Sequence, residues 1–316
     1  MTTATATRTK LARVFFDGEA GTTGLEIRER LAGVESIDVK SIDPARRKDR
    51  EARAEMLRNV DLVVLCLPDD AARETVALAD ELGAKAPKIV DASTAHRVAE
   101  GWVYGFAELT PGHADAIKAA TRVANPGCYP TGGIALIRPL VDAGVIESDY
   151  PITVNAVSGY SGGGRSMIEA YEAGTAPSFE LYGLGLEHKH VPELQKFSGL
   201  TRRPIFVPSV GNFRQGMLVS VPLHLETLAG KPSLRDLELI LEKHYRGSDL
   251  VRVIADSSAQ TTRLDAEALN GTDKLELYVF GNAALNQAVL VARLDNLGKG
   301  AAGAAVQNIK LMLGLD

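Results

Sequence analysis

Residues 12–24, ARVFFDGEAGTTG, decide the fold: an apolar run ends at Asp17, glycines follow at 18, 21 and 24, and Leu25, Ile27 and Leu31 come next. The reading is a strand, a tight turn and a helix. A turn built of glycines in that setting lets backbone N–H groups approach a pyrophosphate at a helix N-terminus. The spacing here is G-x-x-G-x-x-G, not the commoner G-x-G-x-x-G, so Gly18, Gly21 and Gly24 read equally as a plain turn until their surroundings are considered.

Those surroundings repeat the pattern. SIDVKSID (36–43), VDLVVLCLP (60–68), a helical stretch from about Asp69 to Leu82, and KIVDAS (88–93) alternate strand and helix as far as about Val123. Such alternation predicts an α/β fold with a Rossmann-like, doubly wound parallel sheet. Beyond Pro151 the grammar changes: PITVNAVSG, PIFVPSVG, MLVSVPLHLET, LVRVIA, LELYVFG and QAVLVARL are strands with few helices between them, the clear one running from Ser233 to Tyr245. A second, α+β domain with a mainly antiparallel sheet is expected there. The chain closes on DNLGKGAAGAAVQNIKLMLGL, helical from Ala301 onward, and contains no internal repeat.

A chain of 316 residues suits two domains. A net charge of -5 gives no electrostatic reason to expect a nucleic-acid partner. No apolar run reaches the roughly 18 to 20 residues that span a bilayer, and MTTATATRTK lacks the apolar core of a signal peptide, so a cytoplasmic protein with a frayed leader and no membrane partner is expected. Two cysteines, Cys66 and Cys128, exclude a disulfide framework and a multi-cysteine zinc site. Cys66 lies in an apolar strand and reads as packing.

Cys128 differs. NPGCYPTG (125–132) sets it after a Pro-Gly bend and at the start of a helix, where the dipole and unpaired N–H groups are expected to lower its pKa and stabilise a thiolate. A nucleophilic thiol needs a base, and GLEHKHVPE (185–193) offers His188 and His190. On a strand these two would face one side and could instead hold a metal, although two ligands without a third make a poor zinc site. His96, Ser93, Thr94 and Arg97, in DASTAHR (91–97), follow a parallel strand where open sheets bind ligands, and Arg97 is either an anion clamp or a surface residue. SGYSGGGR (158–165) is a second glycine turn, in which Arg165 could grip a carboxylate or ride a mobile loop. His113, His224 and His244 read as structural. Asp43 closes the second strand where an acid would hold an unphosphorylated ribose, yet Arg46, Arg47 and Lys48 follow and suit a 2′-phosphate or a solvated loop.

Taken in order, FFDGEAGTTG, DASTAHR, NPGCYPTG, SGYSGGGR, HKHVPE, VGNFRQGM and LDNLGKGAAGAAVQN span nearly the whole chain. Together they resemble the N-acetyl-γ-glutamyl-phosphate reductases in their shorter form, within the superfamily like aspartate-semialdehyde and glyceraldehyde-phosphate dehydrogenases. The resemblance implies an NADP-binding domain over residues 1–127, to which a terminal helix (296–316) returns, and a catalytic and oligomerisation domain over 128–295. It implies Cys128 as nucleophile and His190 as acid/base, with His188 its rival or a substrate contact. Gly18, Gly21, Thr22, Thr23, Gly24 and Ser93 fall on cofactor-binding stretches and Asn296 at the nicotinamide end, while Arg97 and Arg165 suit the substrate's phosphate and carboxylate. The longer form of the family words the DASTAHR loop differently. The activity implied is NADPH-dependent reduction of an acyl phosphate in arginine biosynthesis, by a homo-oligomer (dimer or tetramer) acting on a small molecule. Rivals are an aspartyl- or carrier-linked acyl-phosphate reductase, and a Cys-His acyl transferase or hydrolase that needs no nicotinamide.

Overall fold

The computed structural model describes residues 11–19 and 21–315, so the leader (1–10), Ala20 and Asp316 lie outside the described residues, as does the Thr22 side chain. The strand read at the opening stretch is β1 (Ala12–Asp17), and α1 (Thr22–Leu31) follows the glycine turn. The alternation continues through β2 (Ile37–Lys40), α2 (Arg50–Arg58), β3 (Leu62–Leu65), α3 (Asp69–Asp80) and β4 (Lys88–Asp91). It then runs through a two-residue edge strand, β5 (Val103–Tyr104), α4 (His113–Ala119) and β6 (Arg122–Ala124). These strands form one wholly parallel sheet in the order β2-β1-β3-β4-β6-β5.

β3 reads LVVL because both of its faces are covered and all four residues are buried. On one face Val14, Phe16, Leu62 and Val64 pack against Ile27 and Leu31 of α1 and Ile117 of α4. On the other, Phe15, Val63 and Leu65 pack against Ala52 and Leu57 of α2 and Ala72 and Val76 of α3. Burying each larger aliphatic side chain contributes about 1.5–3 kcal/mol, which is why the pattern survives as two cores rather than one. Strand order reverses between β1 and β3, and in open α/β sheets ligands bind at that reversal.

The second sheet has seven strands in the order β11-β12-β13-β10-β7-β9-β8. β7 (Thr153–Gly159), β9 (Ile205–Gly211), β10 (Met217–His224), β11 (Val251–Val253), β12 (Leu275–Asn282) and β13 (Gln287–Leu294) lie where the strand-like runs predict them. The sheet is mainly antiparallel, with β7–β9 and β11–β12 parallel. α5 (Cys128–Asp142) runs through the middle of the large core against this sheet, with α8 (Leu234–His244) beside it. α8 starts on a capping box made by Ser233 and Asp236, the signal that makes it legible in sequence. The short pieces α6 (Arg165–Glu172), β8 (Phe179–Leu181), α7 (Val191–Phe197) and α9 (Ser257–Gln260) are not predicted. The terminal helix α10 (Gly303–Leu313) leaves the second sheet and packs Ile309 and Met312 against the first, beside α1 and α4.

Candidate active site

The glycine turn sits at the strand reversal. Gly18 has φ +92°, a conformation that favours glycine, and a β-carbon there would collide with the carbonyl oxygen of Cys66 at the end of β3. The two loops therefore touch, and Gly18, Gly21, Cys66, Leu67 and Pro68 line a cleft of about 340 Å³ together with Arg47 and Lys48. Burial among acids pushes the Cys66 thiol up to about 12, consistent with packing. Asp43 turns its carboxylate back to accept the Ala45 N–H at 2.9 Å, so it caps its own turn. Arg47 pairs with Glu19, which also receives Arg28 and the Ser41 hydroxyl. Glycines at 18 and 21, apolar walls at Leu67 and Pro68, and the Lys48 cation fit a dinucleotide with a phosphorylated ribose.

A second chamber of about 320 Å³ opens between the two sheets. A further space, lined by Gly21, Thr23, Gly24, Ala92, Gly164 and Arg165, shares Thr23, Ala92 and Gly164 with it and joins it to the glycine turn. Cys128 is on the chamber wall as the first residue of α5, with Gly127 as N-cap. A β-carbon at Gly127 would meet Arg97 Nη1 at 2.6 Å, Glu193 Oε1 at 2.7 Å and His190 Nε2 at 2.8 Å. Three side chains from two distant parts of the chain thus converge on the residue before the cysteine.

His190 is buried and forms the N-cap of α7, while His188 accepts the His190 N–H on its Nδ1 at 3.1 Å. The two lie on a turn, so the one-sided strand arrangement considered for a metal is not formed. Among the described residues no cluster of three or more metal-ligating side chains exists. Burial, then Arg97, holds His190 well below the usual histidine range, and burial, Lys189 and Arg97 bring His188 down to about 4. Both are neutral at pH 7. His190 Nδ1 is buried with no partner among the described residues.

The expected lowering of the Cys128 pKa does not hold. Burial pushes the thiol up to about 11, and the Tyr129 and Cys128 N–H groups and Arg97 only partly offset it. A helix start stabilises a thiolate only where that gain exceeds the cost of burial, and at Cys128 the cost is the larger.

Arg97 lines the chamber, but its Nη1 is bound to Glu193 at 2.6 Å and its Nε to the Asn125 carbonyl at 3.1 Å, so it is no surface residue. Ser93 donates to Asp91 at 2.8 Å, and Asp91 also receives His96 at 2.6 Å, so Ser93 and His96 brace their turn instead of facing the chamber. Thr94 is tied to Asp69. Asn296 lines the chamber while its amide bridges the Gly216 N–H (2.8 Å) and the Ser161 hydroxyl (2.9 Å). Arg165 heads α6 after Gly164 and stands in the joining space, not in the chamber. His113 and His244 bond to backbone carbonyls of Tyr104 and Leu109, as structural histidines do.

Two site residues escape a sequence reading. Lys189 lines the chamber between the histidines, and its signal was its place in HKH. Glu193, one turn after His190, is fully buried, and only its spacing within HKHVPE could have drawn notice.

Comparison with known proteins fits this arrangement. Residues 19–118 match the family model described as the semialdehyde dehydrogenase NAD binding domain, and residues 128–296 match the semialdehyde dehydrogenase dimerisation domain. N-acetyl-gamma-glutamyl-phosphate reductases of Brucella suis and Brucella ovis are each 54% identical over 308 residues, covering 96% of this chain and 99% of theirs. Aspartate semialdehyde dehydrogenase of Francisella tularensis superposes with TM-score 0.73 at 12% identity, over 96% of this chain and 100% of that one. Aspartate semialdehyde dehydrogenase II of Vibrio cholerae does so with TM-score 0.71 at 17% identity, over 96% and 99%. At such identities the structures share the fold alone. Identity spread over almost the full length, with both domain models matched in chain order, places this chain in the N-acetyl-gamma-glutamyl-phosphate reductase family of the semialdehyde dehydrogenases.

Proposed function

We propose that the protein reduces N-acetyl-L-glutamyl 5-phosphate to N-acetyl-L-glutamate 5-semialdehyde and phosphate, with NADPH, through a thioester on Cys128, in cytoplasmic arginine biosynthesis. The observation that carries the reading is the convergence of Cys128, His190 and Arg97 around Gly127, in a chamber joined to the glycine turn. The domain division at residues 127/128, with α10 returning to the first sheet, belongs to the same reading.

Neutral His190 takes the Cys128 proton, the sulfur attacks the acyl carbon, and phosphate leaves with the C–O bond electrons. The N–H groups at the start of α5 face the sulfur and are placed to steady the oxyanion. Arg97 and Lys189 supply positive charge for the departing phosphate, and Arg165 at the neck for the carboxylate. The backbone of Gly18, Gly21, Thr22, Thr23 and Gly24 would hold the cofactor's pyrophosphate, Lys48 and Arg47 would offer charge to a 2′-phosphate, and Ser93 and Asn296 would shape the loops that receive the nicotinamide end. The cofactor, when bound, supplies the hydride that reduces the thioester. His190 then returns the proton as the aldehyde departs.

Among the described residues no aspartate or glutamate lines the chamber, so an ammonium would find no carboxylate partner among them, while a neutral acetamide needs none. That favours an N-acetylated substrate over aspartyl phosphate. For assembly, the outer face of the second sheet carries an apolar hollow of about 580 Å³ with Val157, Phe179, Leu181, Phe280 and Val291 in its walls, which suits a second copy in a dimer or tetramer. The test is oxidation of N-acetylglutamate semialdehyde with phosphate and NADP, followed by absorbance of the reduced cofactor. Equal efficiency on aspartate semialdehyde would refute the substrate assignment, and no turnover on either would refute the reaction.

A further inference from the structure

Glu193 lies outside the proposed chemistry, yet its carboxylate is fully buried and takes three donors. They are Arg97 Nη1 at 2.6 Å, the Tyr104 hydroxyl at 2.8 Å and the Gly127 N–H at 3.0 Å. Arg97 and Tyr104 come from the first sheet's side, Gly127 is the N-cap that carries Cys128, and Glu193 belongs to the helix that His190 caps. Tyr104 also stacks on Phe197 at the far end of that helix, with ring centroids 3.8 Å apart. One anion therefore ties together the cysteine's turn, the histidine's helix and the nearest cation.

We propose that Glu193 is a positioning residue that locks the Gly127–Cys128 turn against His190 and holds the Arg97 charge in check, so that a proton can pass from the thiol to the imidazole. The inference rests on Cys128 and His190 acting as proposed. Transfer converts S–H and neutral imidazole into thiolate and imidazolium. Arg97 alone would favour the thiolate but oppose the imidazolium, whereas Glu193 opposes the thiolate and, as an anion at the same Gly127 turn as His190 Nε2, attracts an imidazolium. Their ion pair lets both charges form. The other charged or titratable groups facing Cys128 are His188, Lys189, Tyr129 and Tyr182, and among the described residues lining the chamber none is a carboxylate.

The experiment pairs Glu193→Gln with Glu193→Asp in the whole enzyme. Iodoacetamide alkylation of the Cys128 peptide is followed by mass spectrometry against pH, beside kcat and KM. Glu193→Gln preserves shape and removes the charge, so the alkylation profile should move to lower pH by roughly half to one unit. Its kcat should fall about tenfold or more at little change in KM. Glu193→Asp keeps the charge but withdraws it from Gly127. Its alkylation profile should stay near wild type while kcat still falls. An unmoved profile in Glu193→Gln overturns the proposal, and so does an undiminished kcat in Glu193→Asp, which also decides the matter if Glu193→Gln does not fold. Failure of the underlying reading looks different: alkylation of wild-type Cys128 would then leave activity intact.

Discussion

Gly300 backs directly onto Cys128: a β-carbon at position 300 would stand 2.9 Å from the Cys128 β-carbon and 3.4 Å from its Cα. The Gly300 N–H is fixed at 3.0 Å to the Asp295 carbonyl, and Asn125 binds the Ala301 carbonyl at 3.0 Å, so neither side can retreat easily.

Gly300→Ala should therefore push the start of α5 and misplace the sulfur. Overpacking of this kind costs about 1–3 kcal/mol, and a displacement near 1 Å costs roughly 10² in rate. The expected result is a kcat loss far exceeding the fall in thermal stability. Wild-type kinetics in the alanine variant would mean that the contact is slack.

Cys128→Ser should abolish turnover while NADPH still binds, because the cofactor cleft is lined by Gly18, Gly21 and Leu67 and not by residue 128. Fluorescence titration of NADPH beside the activity assay reads both. Substantial residual turnover, measured against a contamination control, would sink the covalent route.

His190→Asn should lower kcat by roughly 10² to 10⁴, and His188→Asn clearly less. His190 Nε2 reaches the Gly127 turn, whereas His188 supports the His190 backbone. Since the resting thiol is protonated and His190 neutral, wild-type activity should stay flat across neutrality and fall only well on the acid side, where His190 gains a proton; a pH-rate profile checks this. His188 also predicts a stability effect. Its folded pKa of about 4 lies below the ordinary histidine value of 6.5, so the unfolded chain binds the proton first. Its contribution is complete above 6.5 and is lost as pH falls through about 4. Thermal melts should show His188→Asn flattening that decline.

NADPH should be preferred over NADH, and Lys48→Ala should reduce kcat/KM for NADPH more than for NADH. Lys48 lines the cleft beside Arg47, and Asp43 is turned into its own cap, away from the ribose role. An NADH preference in the wild type would mean that an acid, Asp43 or Glu19, still grips the ribose.

Much of this was legible without a structure. The ARVFFDGEAGTTG stretch determined a strand, a glycine turn and a helix because each depends on neighbours in sequence: apolar periodicity, a positive φ at Gly18, and a helix start. NPGCYPTG placed Cys128 at the head of a helix for the same reason. The alternation of runs distinguished a parallel sheet from a mainly antiparallel one, since coverage of one face or two is written in the spacing. What only the tertiary structure decided was the electrostatics. Arg97 meets Glu193 across 96 residues of chain, and Cys128 is raised by burial against the pull of its helix. Arg165 lands in the neck and β8 forms only because β9 offers it an edge. Charge states and edge pairings depend on what is near in space and on how much water remains, and neither quantity has a local signature in the order of residues.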